Sequence, residues 1–341
     1  MGESRFRNKI TWFTYFYSVL VIWAHSYNGE LFLGKTSRGF AVAGFESIFG
    51  GLLGQLAVPG FFLISAYLFY RNFDWNCWMR KWKSRARSIL IPYLLWNGIY
   101  YLGYVIGSRL PFFGPIVGKG TVPFDVPAFL DAVLCHRYLY VFWYLEQLIF
   151  LVLLAPVLYP VLRRFWSGVL LLASVFAAVW MKVDLLLINE DALFYYCAGA
   201  FLALQGRQLE KPWRKERAVL GLLLMGAGGV SLSLTARYFL PGTTVLYRFL
   251  VPLGLWLAVD EGRLSKARGW MECSFFLYAV HFALVRLVNK TVAALAPPQV
   301  WLPVALYLLM PVLMTAVSYR LSAGIKKYTP VLWRVLNGGR G

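Results

Sequence analysis

An imidazole stands near the end of the first long apolar run of the chain. It is His25, followed by Ser26 and Asn28, in the stretch 8–28, NKITWFTYFYSVLVIWAHSYN. An ionisable ring inside a helix of hydrocarbon length is costly unless it faces a partner or a wet cavity. Histidine is also the side chain best suited to take up and return a proton near neutral pH. These residues point to a catalytic base in a membrane-embedded site. The alternative, on this stretch alone, is a histidine at the outer interface with water or headgroups as its partner.

Other ionisable groups fall inside or beside apolar runs. Glu146 lies a short way into VFWYLEQLIF at 141–150, beside Gln147. A carboxylate there must be paired, protonated or solvated. It is a candidate to orient a histidine or to pair with an arginine, and Arg248, early in a later run, is a candidate partner. The basic run RKWKSRARSILIPYLLWN at 80–97 carries Arg85 and Arg87. Such guanidinium forks grip phosphate oxygens, although basic runs also anchor helices at the cytoplasmic face and meet anionic lipid. Tyr278 and His281 share a helix face and read as a structural pair. His136 and Arg137 read as solvated loop residues. In VPGFFLISAYLFYR at 58–71, Gly60, Ser65 and Ala66 would let another backbone come close.

The elements that must position these groups are membrane helices. The chain has 341 residues, 60% hydrophobic and only 14% charged, against about 45–50% and about 25% in soluble domains. The expected fold is all-α, a polytopic transmembrane helical bundle of about ten spans. The spans fall near 11–28, 45–70, 88–108, 141–162, 166–183, 191–206, 218–238, 244–259, 270–290 and 301–322. No linker divides the chain, so 1–341 reads as a single domain. The net charge of +19 is not gathered on one soluble domain. Most lysines and arginines sit in the alternate loops that become cytoplasmic when the N-terminus is inside. Both termini are then cytoplasmic, the protein is a multi-pass cell-membrane protein, and nucleic acid is not its partner. The four cysteines form no CxxC pair, which argues against a zinc site or a disulfide framework. The first run is too long and aromatic for a signal peptide and reads as an uncleaved span. The longest outer loop, 109–140, contains Pro111, Gly114, Pro115, Gly118, Pro123 and Pro127. That density argues against a helix there and suits a segment covering an outward-facing cleft.

Taken together, these stretches resemble the acyltransferase-3 family of integral membrane O-acyltransferases, in order and over nearly the whole chain. The first span ending in HS at His25 is similar to the family's opening helix. FFLIS at 61–65, the basic run into IPYLLW at 91–96, FWYL at 142–145 followed by Pro156, and SFFLYAVH at 274–281 resemble its later elements. The resemblance implies transfer of an acyl group, usually acetyl from cytoplasmic acetyl-CoA, to a hydroxyl of an extracytoplasmic or lipid-linked glycan. It maps the family's catalytic histidine onto His25, its donor-side arginines onto Arg85 and Arg87, and its serine onto Ser65. Glu146 is then a candidate to hold or tune the imidazole, and no metal is implied. The chain departs from the pattern at Thr14, where the family often has an arginine about three helical turns before the histidine. It also departs at Ala66, in place of glycine, and at Ser84, where an arginine pair would begin. Arg7, Lys9, Arg85 and Arg87 are the cations left to hold the donor's phosphates. Peptidoglycan, a surface polysaccharide, a lipid-linked sugar and a small glycoside all fit as acceptor, and the oligomeric state is open. A rival reading is a transporter or flippase for a glycan lipid, with Arg248 and Glu146 as substrate ligands.

Overall fold

The structure, a computed structural model, describes residues 1–111, 114, 118–238 and 240–340. Among the described residues it is all-helical and has no strand; a lone bridge joins Leu185 and Ile188. Helix occupies each apolar run read from the sequence. Among the described residues, five stretches are long and apolar enough to cross a membrane: Ser37–Tyr70, Trp78–Arg109, Lys215–Tyr238, Ser274–Leu295 and Trp301–Tyr328. A sixth joins them if the bent pair Tyr140–Leu153 and Ala155–Leu162 is one span. Phe165–Trp180 is apolar but shorter. Glu3–His25, Glu190–Leu204 and Pro241–Ala258 are helices as well. Lys215–Tyr238 leaves apolar side chains open, with Leu222 62% and Leu223 66% exposed. A helix apolar on its open side is suited to lipid.

The run at 141–162 is bent by 66° where the sequence suggested one span. Pro156 explains the bend. It has no N–H to give to the carbonyl one turn back, and its ring crowds that turn. The freed carbonyl is that of Val152, and it accepts instead from the Trp82 indole N–H at 2.9 Å.

The loop 109–140 also differs from expectation, because Val126–Leu134 is a helix. Asp125 accepts from the Ala128 N–H at 2.8 Å and caps it. Pro127 falls in the first turn, where a missing N–H costs nothing. This helix packs on Ile91–Arg109: the Tyr93 hydroxyl donates to the Leu134 carbonyl at 3.0 Å, and Tyr101 to that of Pro123 at 2.9 Å. Pro115 lies outside the described residues.

The chain divides into two compact units of interleaved segments: Met1–Tyr17, Gln55–Trp82 and Gln147–Arg268 in the first, Ser18–Gly54, Lys83–Glu146 and Gly269–Gly341 in the second. In the first unit, Ala57–Tyr70 packs against Glu190–Leu204. A Cβ on Gly199 would lie 2.5 Å from the Leu63 carbonyl oxygen and 3.1 Å from Ala66, and one on Gly60 would strike the Tyr17 ring at 2.3 Å. The small residues at 58–71 therefore serve close helix packing. Lys215–Tyr238 and Pro241–Ala258 form a second close pair. A Cβ on either Gly221 or Gly254 would come within 2.5 Å of the other's carbonyl oxygen. In the second unit, Ser274–Leu295 packs with Trp301–Tyr328.

Candidate active site

His25 is the last residue of the helix Glu3–His25. The turn that follows is tied down by buried polar groups of the second unit. The Ser26 hydroxyl donates back to the Ile22 carbonyl at 2.5 Å. The Asn28 backbone N–H donates to the Glu46 carboxylate at 3.0 Å, and the Gly29 N–H donates to its other oxygen at 3.3 Å. The side-chain amide of Asn289 donates to the Ser26 carbonyl at 3.2 Å. Glu46, Ser26, Asn28 and Asn289 are all buried. Ser26 and Asn28 thus fix where the histidine points. Glu46 was not legible as part of this arrangement, because nothing in its local sequence marks it as the acceptor for residues 28 and 29.

The His25 ring meets three others in the second unit. Its Nδ1 is 2.8 Å from the Tyr140 hydroxyl. Its ring centroid is 5.5 Å from that of His281 and 6.1 Å from that of Phe282. Tyr140 is 47% exposed, so the pair reaches the open surface. Two tautomers satisfy the contact: the tyrosine donates to a bare Nδ1, or an Nδ1–H donates to the tyrosine oxygen. In the second, Nε2 keeps its lone pair. His281 is fully buried, with Nδ1 2.7 Å from the Tyr278 carbonyl oxygen. A carbonyl only accepts, so Nδ1 of His281 carries a hydrogen and, in the neutral ring, Nε2 is bare; Nε2 has no hydrogen-bond partner among the described residues. The expected Tyr278–His281 pairing is present, with the rings stacked at 5.9 Å. The Tyr278 hydroxyl bonds the Val141 carbonyl. The sequence did not reveal that His281 also faces His25, since more than 250 residues separate them along the chain.

Glu146 does not hold His25. Its carboxylate lies 3.5 Å from Nδ1 of His136. His136 is half-buried, not solvated as its loop position suggested, and adopts a positive φ of 41° in the turn before Tyr140. Arg248, the other candidate partner, lies in the first unit. It pairs with Asp191 at 3.3 Å and donates to the Gln55 side chain at 2.8 Å, within the first unit. Arg137 pairs with Asp131.

Arg85 closes the helix Trp78–Arg85, and Arg87 lies in the π-helical turn Ala86–Leu90 that leads into Ile91–Arg109. Arg87 is exposed and Arg85 half-buried. The tail after Pro330–Leu336 docks beside them. The Trp96 indole donates to the Leu336 carbonyl at 3.1 Å, and Gly338 sits so close to Ser88 that a Cβ would lie 2.5 Å from its carbonyl oxygen. This seats Arg340 with its guanidinium 4.3 Å from the Phe275 ring centroid. Burial pushes that guanidinium down to about 10, and the positive charge of Arg85 adds to the shift. Arg340 belongs with Arg85 on these grounds.

Ser65 lies in the first unit, half-buried on Ala57–Tyr70. Thr14 donates into its own helix, to the Ile10 and Thr11 carbonyls at 2.9 and 3.1 Å. Lys9 is not available as a substitute cation. It is buried, donates to the Val259 carbonyl at 2.7 Å and lies 3.5 Å from Glu261. Arg7 pairs with Glu3 at 2.8 Å.

Residues 10–323 match the family model described as Acyltransferase domain. The succinoglycan biosynthesis protein ExoH of Rhizobium meliloti (strain 1021) is 27% identical over 161 residues, which cover 46% of this chain and 43% of that protein. The match therefore spans less than half the length of this relative. No solved structure matches significantly.

Proposed function

The chain belongs to the acyltransferase-3 family, and we propose that it is a membrane-embedded O-acyltransferase in which His25 is the general base. It is a multi-pass membrane protein. In this reading it spans about ten times with both termini in the cytoplasm, as loop charge favours. The donor is a cytoplasmic acyl-CoA, with acetyl the default. The acceptor is a hydroxyl of an extracytoplasmic or lipid-linked glycan; the name of its partial relative, a succinoglycan biosynthesis protein, supports a polysaccharide.

The observation that carries the reading is the His25–Tyr140 contact at 2.8 Å on an open edge of the second unit. With Nδ1–H donating to the Tyr140 oxygen, Nε2 of His25 is bare and takes the proton of the acceptor hydroxyl. The acceptor oxygen bonds to the thioester carbonyl carbon. As the tetrahedral intermediate collapses, the carbon–sulfur bond breaks. The proton held by the imidazole then goes to the departing thiolate, so His25 ends as it began. Tyr140 fixes the orientation of the ring, and His281 packs behind it. Arg85 and Arg87 hold the donor's phosphates, with Arg340 beside Arg85. Glu146, paired with His136, supports the turn that delivers Tyr140.

The test is transfer of label from acyl-CoA to membrane glycans by the protein and by His25→Ala at equal abundance. We expect a loss of at least about 100-fold, the usual scale for general-base removal. Unchanged transfer would overturn the assignment. Movement of a glycan lipid with no label transferred would favour the transporter reading, whose proposed ligands Glu146 and Arg248 have His136 and Asp191 as partners.

A further inference from the structure

A group of cations beside His25 in the second unit has no role in the chemistry above. Arg286 lies on Ser274–Leu295, a helix apolar enough to cross a membrane. Its guanidinium donates to the Tyr104 hydroxyl at 3.2 Å and lies 5.4 Å from the centroid of Phe282. Phe282 in turn packs edge-on against Tyr140, at 4.7 Å, and meets the His25 ring. Lys119 also lies against Tyr104. Its ammonium lies 5.6 Å from the Tyr104 centroid and 5.1 Å from that of Tyr138. Rings shared between neighbours therefore lead from both cations towards the imidazole.

Neither cation has a carboxylate within ion-pair distance among the described residues. The nearby acids are engaged elsewhere: Asp131 with Arg137, Asp125 as a helix cap, Glu146 with His136, and Glu46 with the turn after His25. Partial burial and the positive charges of Arg286 and Arg137 hold the Lys119 ammonium below the usual lysine range. The backbone is shaped to present it. Gly118 and Gly120, on either side, both adopt left-handed conformations, with φ of 64° and 63°. The loop is pinned where the Val122 N–H donates to the Ser108 hydroxyl at 3.1 Å. An arginine on a spanning helix is expensive to keep, and its helix neighbours supply no counter-charge. Two cations braced by aromatic faces, without an anion of their own, form a place for one.

We propose that Arg286 and Lys119 form an anion subsite beside His25, which binds a carboxylate or phosphate carried either by the acceptor or by the transferred acyl chain. The proposal rests on the reading of His25 as the reaction centre. The planar guanidinium of Arg286 takes the anion in a fork. Lys119, on its loop, closes over it as a point charge. The subsite then selects charged substrates over neutral ones of the same size.

The test uses the full chain in lipid nanodiscs. The acceptor arm measures binding of a glucuronate-terminated oligosaccharide and of its carboxyl-reduced, neutral counterpart. The acyl arm measures transfer from succinyl-CoA and from acetyl-CoA to the neutral acceptor. The proteins are the natural chain, Arg286→Gln, Lys119→Gln, Arg286→Lys and His25→Ala. We expect the natural chain to favour the anionic partner in one arm by at least about 10-fold, the scale of one charge-assisted contact. Arg286→Gln should remove that preference and leave the neutral partner within about 2-fold. Arg286→Lys should restore part of it, and added salt should weaken it. The arm that shows the preference identifies the source of the anion. No preference in either arm, or an equal loss for charged and neutral partners in Arg286→Gln, overturns the subsite. Charge-selective binding that persists in His25→Ala and vanishes in Arg286→Gln supports the subsite even if no acyl transfer is found, in which case only the enzymatic reading fails.

Discussion

The two units differ in how they hold particular buried and half-buried cations. In the first, Arg71, Lys9 and Arg248 are matched with carboxylates. Arg71 bonds Glu3 at 2.7 Å and Glu210 at 3.2 Å, and Glu210 also accepts from the Tyr67 hydroxyl at 3.1 Å. Lys9 is closed in by Glu261, the Val259 carbonyl and the Trp256 ring, and Arg248 pairs with Asp191. In the second unit, Arg286 and Lys119 face rings and a phenol instead of acids. A charge already matched by a neighbouring acid has little left to offer a ligand. Matched charges hold a fold together; unmatched ones keep their field for something that arrives.

The sharpest way to break this contrast is to remove a matched partner. Lys9→Ala leaves Glu261 buried without its cation and should cost about 3–5 kcal/mol. Thermal unfolding in detergent measures it. Lys9→Met combined with Glu261→Gln should recover much of the loss, because no lone charge remains. Arg286→Gln should shift the midpoint far less. If it destabilises as much as Lys9→Ala, the distinction between holding and waiting charges is wrong.

Packing gives the next largest effect. A Cβ at Gly199 would lie 2.5 Å from the Leu63 carbonyl oxygen and 2.9 Å from its Cα, both backbone atoms that cannot rotate away. Gly199→Ala should therefore cost about 1–3 kcal/mol by overpacking. Gly226→Ala, where nothing lies within 4 Å, serves as the control and should be neutral or slightly stabilising. Equal behaviour of the two variants would show that the Ala57–Tyr70 and Glu190–Leu204 helices are not held this closely.

In the second unit the corresponding single-atom change should affect rate instead. Tyr140→Phe removes the oxygen at His25 Nδ1 and keeps the ring packed on Phe282. We expect kcat to fall about 10-fold, equivalent to about 1.4 kcal/mol in the barrier, with KM and the unfolding midpoint little changed. A large fall in stability with kcat preserved would make Tyr140 a packing residue only.

The helices were legible because apolar runs of spanning length leave little choice of structure. His25 was legible because an imidazole inside such a run is conspicuous. Its surroundings were not. Tyr140, His281 and Glu46 reach it by tertiary packing, and no periodicity connects positions in separate helices. The mistaken partner for Glu146 has the same origin. Sequence shows that a carboxylate needs a neighbour, but not whether His136, one turn of loop away from Tyr140, supplies it. The helix at Val126–Leu134 was missed for a local reason. Proline was counted as a breaker, whereas Pro127 sits in a first turn behind the Asp125 cap, where proline is accommodated.

The smallest expected effect lies at the exposed edge of the matched network. The Arg71 guanidinium, bonded to Glu3, and then Arg7 hold the Glu3 carboxyl below the usual carboxylate range. A carboxyl whose pKa is lower in the folded state stabilises the fold above its unfolded pKa of about 4.3 and loses that contribution as pH falls through the lower folded value. Glu3→Gln should therefore unfold slightly earlier than the natural chain at pH 7, and the gap between the two should close below about pH 4. Salt should narrow it too, since Glu3 is half exposed to solvent. Comparing the two proteins at each pH cancels the carboxylates they share, such as Glu210 on the same arginine. A gap that stays constant from pH 7 to the acid end would mean that Glu3 acts through packing or its helix and not through charge. Arg71 would then depend on Glu210 alone.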